Sequence, residues 1–331
     1  MFQKMMVLVV FCICFVGCSQ KKESMISQNP NINEKNLVEE INKQVKHYPS
    51  EKVYGFRYEN FNCYFEVFVN DIPCYKDFIT HKAGSGFDVN VCIFKSGIQK
   101  LKFKMYPAND EKTTINEFIE STYLKLQLET YDKKHRDADD VVIQKFKTPV
   151  TITKDQYGNN NEKFIAAGKS YYEGSFTFEA QVPYQLEGFD TIQDLRKIDP
   201  KIMKQKLVEK YQEIWKVYQN KQYDDIARIS FENLRDQFIA EYHNEKHIGD
   251  VWGMLMDIYK QPTFEMQPLQ DYELVFFADG KLVALMQTSN DNRLRGHSAL
   301  WAKVDYDGGI RPQFCNRYFY IREGETAFKV Y

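Results

Sequence analysis

The feature that most limits the fold of this chain is a change of period at about residue 186. From Val53 to about Tyr184 apolar residues recur at every second position, the spacing of strands with one buried face; beyond that they recur every three or four. "NCYFEVFV" (62–69) meets "IPCYK" (72–76) across Asn70-Asp71, the signal of a tight hairpin. "FDVNVCIF" (87–94) and "QKLKFKMY" (99–106) flank Lys95-Ser96-Gly97-Ile98, and Pro107 ends the second. "TYLKLQLETY" (122–131) sets Leu124, Leu126 and Leu128 on one face, and "VVIQKFK" (141–147) and "SYYEGSFTFEAQV" (170–182) follow. Seven short strands separated by turns predict an antiparallel β-sandwich over residues 50–185.

After the switch, Asp199 is a good N-cap with Pro200 at the first helical position, and Met203, Leu207, Tyr211, Ile214 and Tyr218 form one stripe. Asp224 or Asp225 caps a second helix with the stripe Ala227, Phe231, Leu234, Phe238 and Tyr242. A third, from about Ile248 to Tyr259, carries Val251, Trp252, Leu255 and Tyr259. Each stripe needs a cover. "YELVFFA" (272–278) and "KLVALMQT" (281–288), joined by Asp279-Gly280, provide it as a hairpin apolar at nearly every position, hence buried on both faces. "ALWAKVDY", "NRYFYIRE" and "TAFKVY" add three strands, with turns at Asp307-Gly308-Gly309 and Glu323-Gly324. The fold class expected is α+β: an N-terminal antiparallel β-sandwich, then an α+β domain (186–331) of three helices packed on an antiparallel sheet. Helices followed by a meander of strands resembles the NTF2-like, cone-shaped α+β architecture, in element order alone.

The amino terminus predicts where the chain acts. The apolar run Met5 to Gly17 follows one positive charge, Lys4, holds no acidic residue, and is too short to span a bilayer, as in a secretory signal peptide. Phe15-Val16-Gly17-Cys18 resembles the lipobox of bacterial lipoprotein precursors, with Phe15 where leucine is usual. The resemblance implies removal of residues 1–17, lipid on Cys18, and an anchor in a bacterial envelope membrane. Residues 18–49, rich in Lys, Glu, Asn, Gln and Ser, are then expected to be a flexible tether, with room for a short helix around Asn36 to Val45. Without Lys4 the chain keeps 43 of its 44 basic residues against 46 acidic ones, a net charge of −3. That lacks the basic excess of a nucleic-acid binder. Lys21-Lys22 after the cysteine favour a periplasm-facing anchor, expected in the outer membrane.

Cys12 and Cys14 leave with the signal, so Cys63, Cys74, Cys92 and Cys315 remain in an oxidising compartment, with three full pairings open. A two-residue turn at 70 and 71 places Cys74 opposite Val67 and Cys63 four residues further along. At about 3.4 Å per residue that exceeds the roughly 7 Å Cα limit of a disulfide. Cys63 and Cys74 should not bond each other, and Cys92 is the better partner for either; buried unpaired thiols are the alternative.

The sequence has no G-x-S-x-G, H-E-x-x-H, P-loop or complete G-x-G-x-x-G motif. "EYHNEKH" offers His243 and His247 at i and i+4, a candidate metal pair if both share a helix, with Glu241 or Glu245 as a carboxylate. Without a clear third histidine it reads first as a polar helix end meeting the helix dipole. "SNDNRLRGHS" (289–298) gathers Asn290, Asp291, Asn292, Arg293, Arg295 and His297 after a buried strand, the candidate binding loop, although its composition also fits a long polar hairpin loop. Trp252 and Trp301 are candidates to line a cone, or to be core. The expected function is a membrane-anchored, non-catalytic binding protein with a protein partner in the cell envelope, an immunity-type inhibitor being one instance. No cofactor and no nucleic acid are expected. The alternatives are an envelope hydrolase with an Asp/Glu/His site in a C-terminal cleft, and a small-ligand carrier.

Overall fold

A computed structural model describes residues 26–108 and 116–331. The expected signal segment 1–17, the expected lipidation site Cys18 and the first residues of the expected tether lie outside them. The chain is a mixed α+β protein with antiparallel sheets and, among the described residues, four α-helices.

The first half supplies strands β1 (Lys52–Phe61), β2 (Cys63–Val69), β3 (Ile72–Asp77), β4 (Lys82–Asp88), β5 (Gly97–Pro107), β6 (Tyr123–Asp132), β7 (Val141–Lys147), β8 (Val150–Lys154), β9 (Asn160–Phe164) and β10 (Tyr172–Ala180). They form two four-stranded sheets, ordered β4-β1-β6-β7 and β10-β5-β2-β3, and a separate β8-β9 hairpin. Alternation decides what each face meets. Phe56 and Tyr58 of β1, Leu124, Leu126 and Leu128 of β6, Phe65 and Val67 of β2, and Leu101, Phe103 and Met105 of β5 are buried in one shared cluster. At about 1.5 to 3 kcal/mol for each large apolar side chain removed from water, this cluster dominates the stability of the half.

Two expectations for this half are corrected. The predicted strand 87–94 is displaced: the strand is β4, Lys82–Asp88, and Asn90–Cys92 is a 3-10 turn. Asn90 is the cause. Its buried amide accepts from Tyr54 N (2.7 Å) and donates to Lys52 O (3.1 Å) and Ala240 O (2.9 Å), which holds the segment out of the ladder. The β2–β3 hairpin turns at Asn70 and Asp71, both at positive φ, but its register shifts between Val67 and Phe68, so Val67 faces Tyr75 and Cys74 is bulged out. Cys74 bonds Cys92, while Cys63 and Cys315 are free and buried.

The second half opens with α2 (Pro200–Gln219), α3 (Tyr223–Ala240) and α4 (Glu245–Lys260), preceded near the start of the chain by the short α1 (Leu37–Asn42). Asp199 caps α2 as expected, accepting from Lys201 N (2.9 Å) and Ile202 N (3.1 Å). Strands β11 (Glu265–Met266), β14 (Trp301–Tyr306) and β15 (Gly309–Phe314) form one sheet. Strands β12 (Tyr272–Phe277), β13 (Leu282–Gln287), β16 (Phe319–Tyr320) and β17 (Lys329–Val330) form another. No helix among the described residues is long and apolar enough to cross a membrane.

The β12–β13 hairpin joins the two cores. Val283 and Leu285 pack with the helices, while Leu282, Ala284 and Phe277 pack with the cluster of the first half. β12 lies at the sheet edge and is only partly covered, which opens one side of the hairpin. The tether expectation is also corrected for its described part. Ile26, Ile32, Leu37 and Ile41 are buried against the helices, and Trp252 donates its indole N–H to Glu34 O (3.0 Å). Four aliphatic residues scattered through a polar stretch suffice to dock it on a surface already present, although they could not order it alone.

Candidate functional site

Because odd positions of β2 enter the core between the first two sheets, its even positions, Tyr64, Glu66 and Phe68, lie on the other face, where Tyr64 and Phe68 are buried under neighbouring segments and Glu66 is half-buried. The same row continues across the sheet: Glu66 is opposite Lys104 of β5 and, through the Cys74 bulge, opposite Lys76 of β3. Without the bulge Lys76 would be opposite Phe65 and would point into the core. Opposed charges in such a row stabilise by roughly 0.2 to 1 kcal/mol per pair. Phe68, Phe78 and Tyr106 surround the row.

The open side of the β12–β13 hairpin faces this surface. Glu273, Val275, Phe277 and Met286, with residues 287–290, 295, 296, Asn316 and Tyr318, close a cavity of about 690 Å³ over Glu66, Lys76, Lys104 and Tyr106. The walls are joined at two places. Ala278 N and Asp279 N donate to Asp71 O (3.0 Å) and Asp71 Oδ2 (3.1 Å) beside the stacked Phe68 and Phe277 rings. Lys76 Nζ donates to Gly296 O.

The loop 289–298 divides its residues between surface and cleft. Asp291 grips Arg293 through paired contacts (Nε to Oδ1 3.0 Å, Nη2 to Oδ2 2.7 Å), and Arg293 lies in solvent. The Asp291 carbonyl accepts from Leu294 N and Arg295 N, both 2.9 Å, winding one turn that sends Arg295 back under the loop. Its guanidinium sits over the rings of Phe78 (4.5 Å) and Tyr106 (4.4 Å), while Tyr106 donates its hydroxyl to Glu66 Oε2 (2.8 Å). Gly296 ends the turn at φ +66°, and a Cβ there would lie 3.0 Å from Phe78 and 3.2 Å from Glu66 Oε1.

Electrostatics follow from burial. Desolvation lowers Lys76 to about 8 against the opposing charge of Glu66. Burial first, then Lys76, hold His297 down at about 3, so its ring is neutral at ordinary pH. That ring stacks on Phe314 at 3.7 Å with Nδ1 unpartnered, beneath the loop and outside the cleft lining. Tyr106 is raised by burial, then by Glu66, and Tyr318 is pushed up to about 12 by burial. Both keep their phenol protons.

Of the loop residues named from sequence, Asn290 and Arg295 line the cleft, Asp291 and Arg293 pair at the surface, His297 packs below, and Asn292 is half-buried without a role in the lining. His243 and His247 do not share a helix. His243 lies in the turn before α4 and His247 in its first turn, because Asn244 between them caps the helix through His247 N (2.9 Å). Their rings stack at 3.8 Å, and His243 is held by Glu241 (3.0 Å) and Lys133 (3.1 Å). Among the described residues no cluster of three or more His, Cys, Asp or Glu is placed to hold a metal ion. The three histidines therefore do not converge on one pocket, and neither Trp252 nor Trp301 lines the cleft.

Sequence reasoning missed Glu66, Lys104 and Tyr106, which look like ordinary strand positions, and Lys76, which the two-residue-turn register puts on the core side. Pro73, beside Cys74 in the edge strand β3, is the sequence signal of a bulge. Compared with known proteins, the chain matches no family model, no curated protein and no solved structure.

Proposed function

We propose that this protein is a lipid-anchored, periplasm-facing envelope protein that works by binding, and that the cleft between the β2–β3–β5 surface and the β12–β13 hairpin is its recognition site. The observation that carries the reading is the cleft itself: a cavity of about 690 Å³, walled by aromatic and aliphatic side chains, with charged groups gathered in one row. That volume is within the range of sites for drug-sized ligands, roughly 300 to 1,000 Å³. The groups around it favour binding over chemistry. Tyr106 and Tyr318 are held protonated, the nearest histidine lies outside it and is neutral, and Glu66 is engaged by Tyr106.

In this reading the first two sheets form a β-sandwich, and the helices over the C-terminal sheet an NTF2-like arrangement whose outer wall, not its interior, takes part in recognition. The address rests on the lipobox-like Phe15-Val16-Gly17-Cys18 and accords with a Cys74–Cys92 disulfide bracing the cleft floor. Closing a loop of this separation, 18 residues, contributes about 3 kcal/mol in an oxidising compartment. The envelope partner, in an immunity-type role or another, presents the group that the cleft takes.

Intact-mass spectrometry of protein purified from membranes, beside a Cys18→Ala form, tests the address. The expected mass lacks residues 1–17 and carries lipid only when Cys18 is present; an unprocessed, unlipidated chain overturns it. Crosslinked capture from envelope material tests the site. Val275→Trp, which fills the cleft, should lose whatever the native protein retains, and identical capture by both forms contradicts the reading.

A further inference from the structure

We infer that the cleft takes an organic anion with an apolar body, its acidic group held at Arg295, Lys76 and Lys104 and its body against the apolar wall of Val275, Met286 and the edges of Phe68 and Phe277. This rests on the cleft being the binding site.

The charges around the cleft divide by whether a carboxylate already holds them. On the neighbouring surface Lys102 pairs with Asp71 (2.7 Å), Lys125 with Glu59 (3.0 Å) and Arg293 with Asp291 (2.7 Å). The three cations that face the cavity differ: among the described residues none forms a salt bridge with a carboxylate. Arg295 lies on two ring faces, and Lys104 over Phe68 at 5.0 Å. Lys76 donates to a backbone carbonyl, a neutral acceptor.

The carboxylates nearby do not cancel these charges. Glu66 accepts the Tyr106 hydroxyl and is shared between Lys76 and Lys104 by register. Glu273 is exposed, at the rim. The interior thus holds three cationic groups against one engaged carboxylate, in a half-enclosed space where a charge pair is worth more than in bulk water.

Guanidinium geometry adds direction. The rings of Phe78 and Tyr106 engage a face of Arg295 and leave its N–H edge for a planar or tetrahedral acid, the arrangement that gives bidentate recognition. The amides of Gln287, Asn290 and Asn316 flank the same space. Beyond them Val275, Phe277, Met286 and Phe68 offer only apolar surface, which requires a hydrocarbon or aromatic body and disfavours free phosphate or sulfate.

Calorimetric titration of the full chain in lipid nanodiscs, with empty nanodiscs as blank, tests this using naphthalene-2-sulfonate and its neutral isostere naphthalene-2-sulfonamide. The sulfonate should bind at least about tenfold more tightly, the worth of one charge-assisted contact. Arg295→Gln should remove that preference, with a native circular-dichroism spectrum reporting that the variant folds; Lys104→Gln should reduce the preference in part. If both probes bind equally, and both are lost in Val275→Trp, the cleft is a site but not an anion site, and this inference fails alone. If neither probe binds, or if Val275→Trp changes nothing, the cleft reading fails with it.

Discussion

Two polar segments of this chain carry similar residues and end in opposite states. The 241–247 turn satisfies its charges internally: Glu241 meets His243, Lys133 donates to Glu241 O at 2.6 Å, and the two histidines stack. The 289–298 loop pairs Asp291 with Arg293 at the surface and sends Arg295 into a cavity with no carboxylate partner. By residue type the first reads as a polar helix end with a metal pair as its alternative, and the second as a polar loop that is also the candidate binding loop. What separates them is whether a charge faces another charge or faces space.

The largest expected effect distinguishes the histidines. His297 takes up a proton in the unfolded chain near pH 6.5 but in the fold only near about 3. Between those values the unfolded state holds the extra proton, so stability falls as pH drops through that window, by about 1.4 kcal/mol per unit. Urea denaturation across pH should show this slope, and His297→Phe, which keeps the stack on Phe314, should flatten it; an unchanged slope contradicts the burial of the ring. Gly296→Val comes next. Its left-handed backbone and the approach of Phe78 and Glu66 predict a cost of about 2 kcal/mol or more, together with weaker naphthalene-2-sulfonate binding. Denaturation and calorimetry on the same sample read both.

Lys133→Met sharpens the comparison from the other side. Removing its bonds at the 241–247 turn should cost about 1 to 2 kcal/mol of stability and leave sulfonate affinity unaltered. A change in affinity would mean the turn and the cleft are coupled. The smallest effect is a pH dependence of binding. Lys76 loses its charge as pH rises through about 8, so sulfonate affinity should fall by about threefold above it, the worth of a partly screened pair. Lys76→Gln should bind weakly at every pH and lose the dependence.

Much of the frame was legible because alternation and capping are local. The helix stripes, the Asp199 cap and the 70–71 turn follow from residue order, as does the strand "VVIQKFK". The cleft was not, because it depends on one bulge and one buried amide. The bulge at Cys74 turns Lys76 from the core side to the outer row, and no residue count in the hairpin reveals it. Asn90 holds its segment through partners at Lys52, Tyr54 and Ala240, which lie 38, 36 and 150 residues away along the chain, so an apolar alternation at 87–94 pointed to a strand that is not there. The loop was recognisable as polar and displayed; which of its two arginines would turn inward was set by Asp291, whose carboxylate claims Arg293.

A structure of the protein with naphthalene-2-sulfonate bound tests the central claim most directly. The sulfonate is expected within hydrogen-bond distance of the Arg295 guanidinium and the naphthalene ring against Val275, Met286 and the edges of Phe68 and Phe277. A sulfonate lodged at His243 and His247, or on the outer surface at Arg293 with the cleft empty, would contradict it.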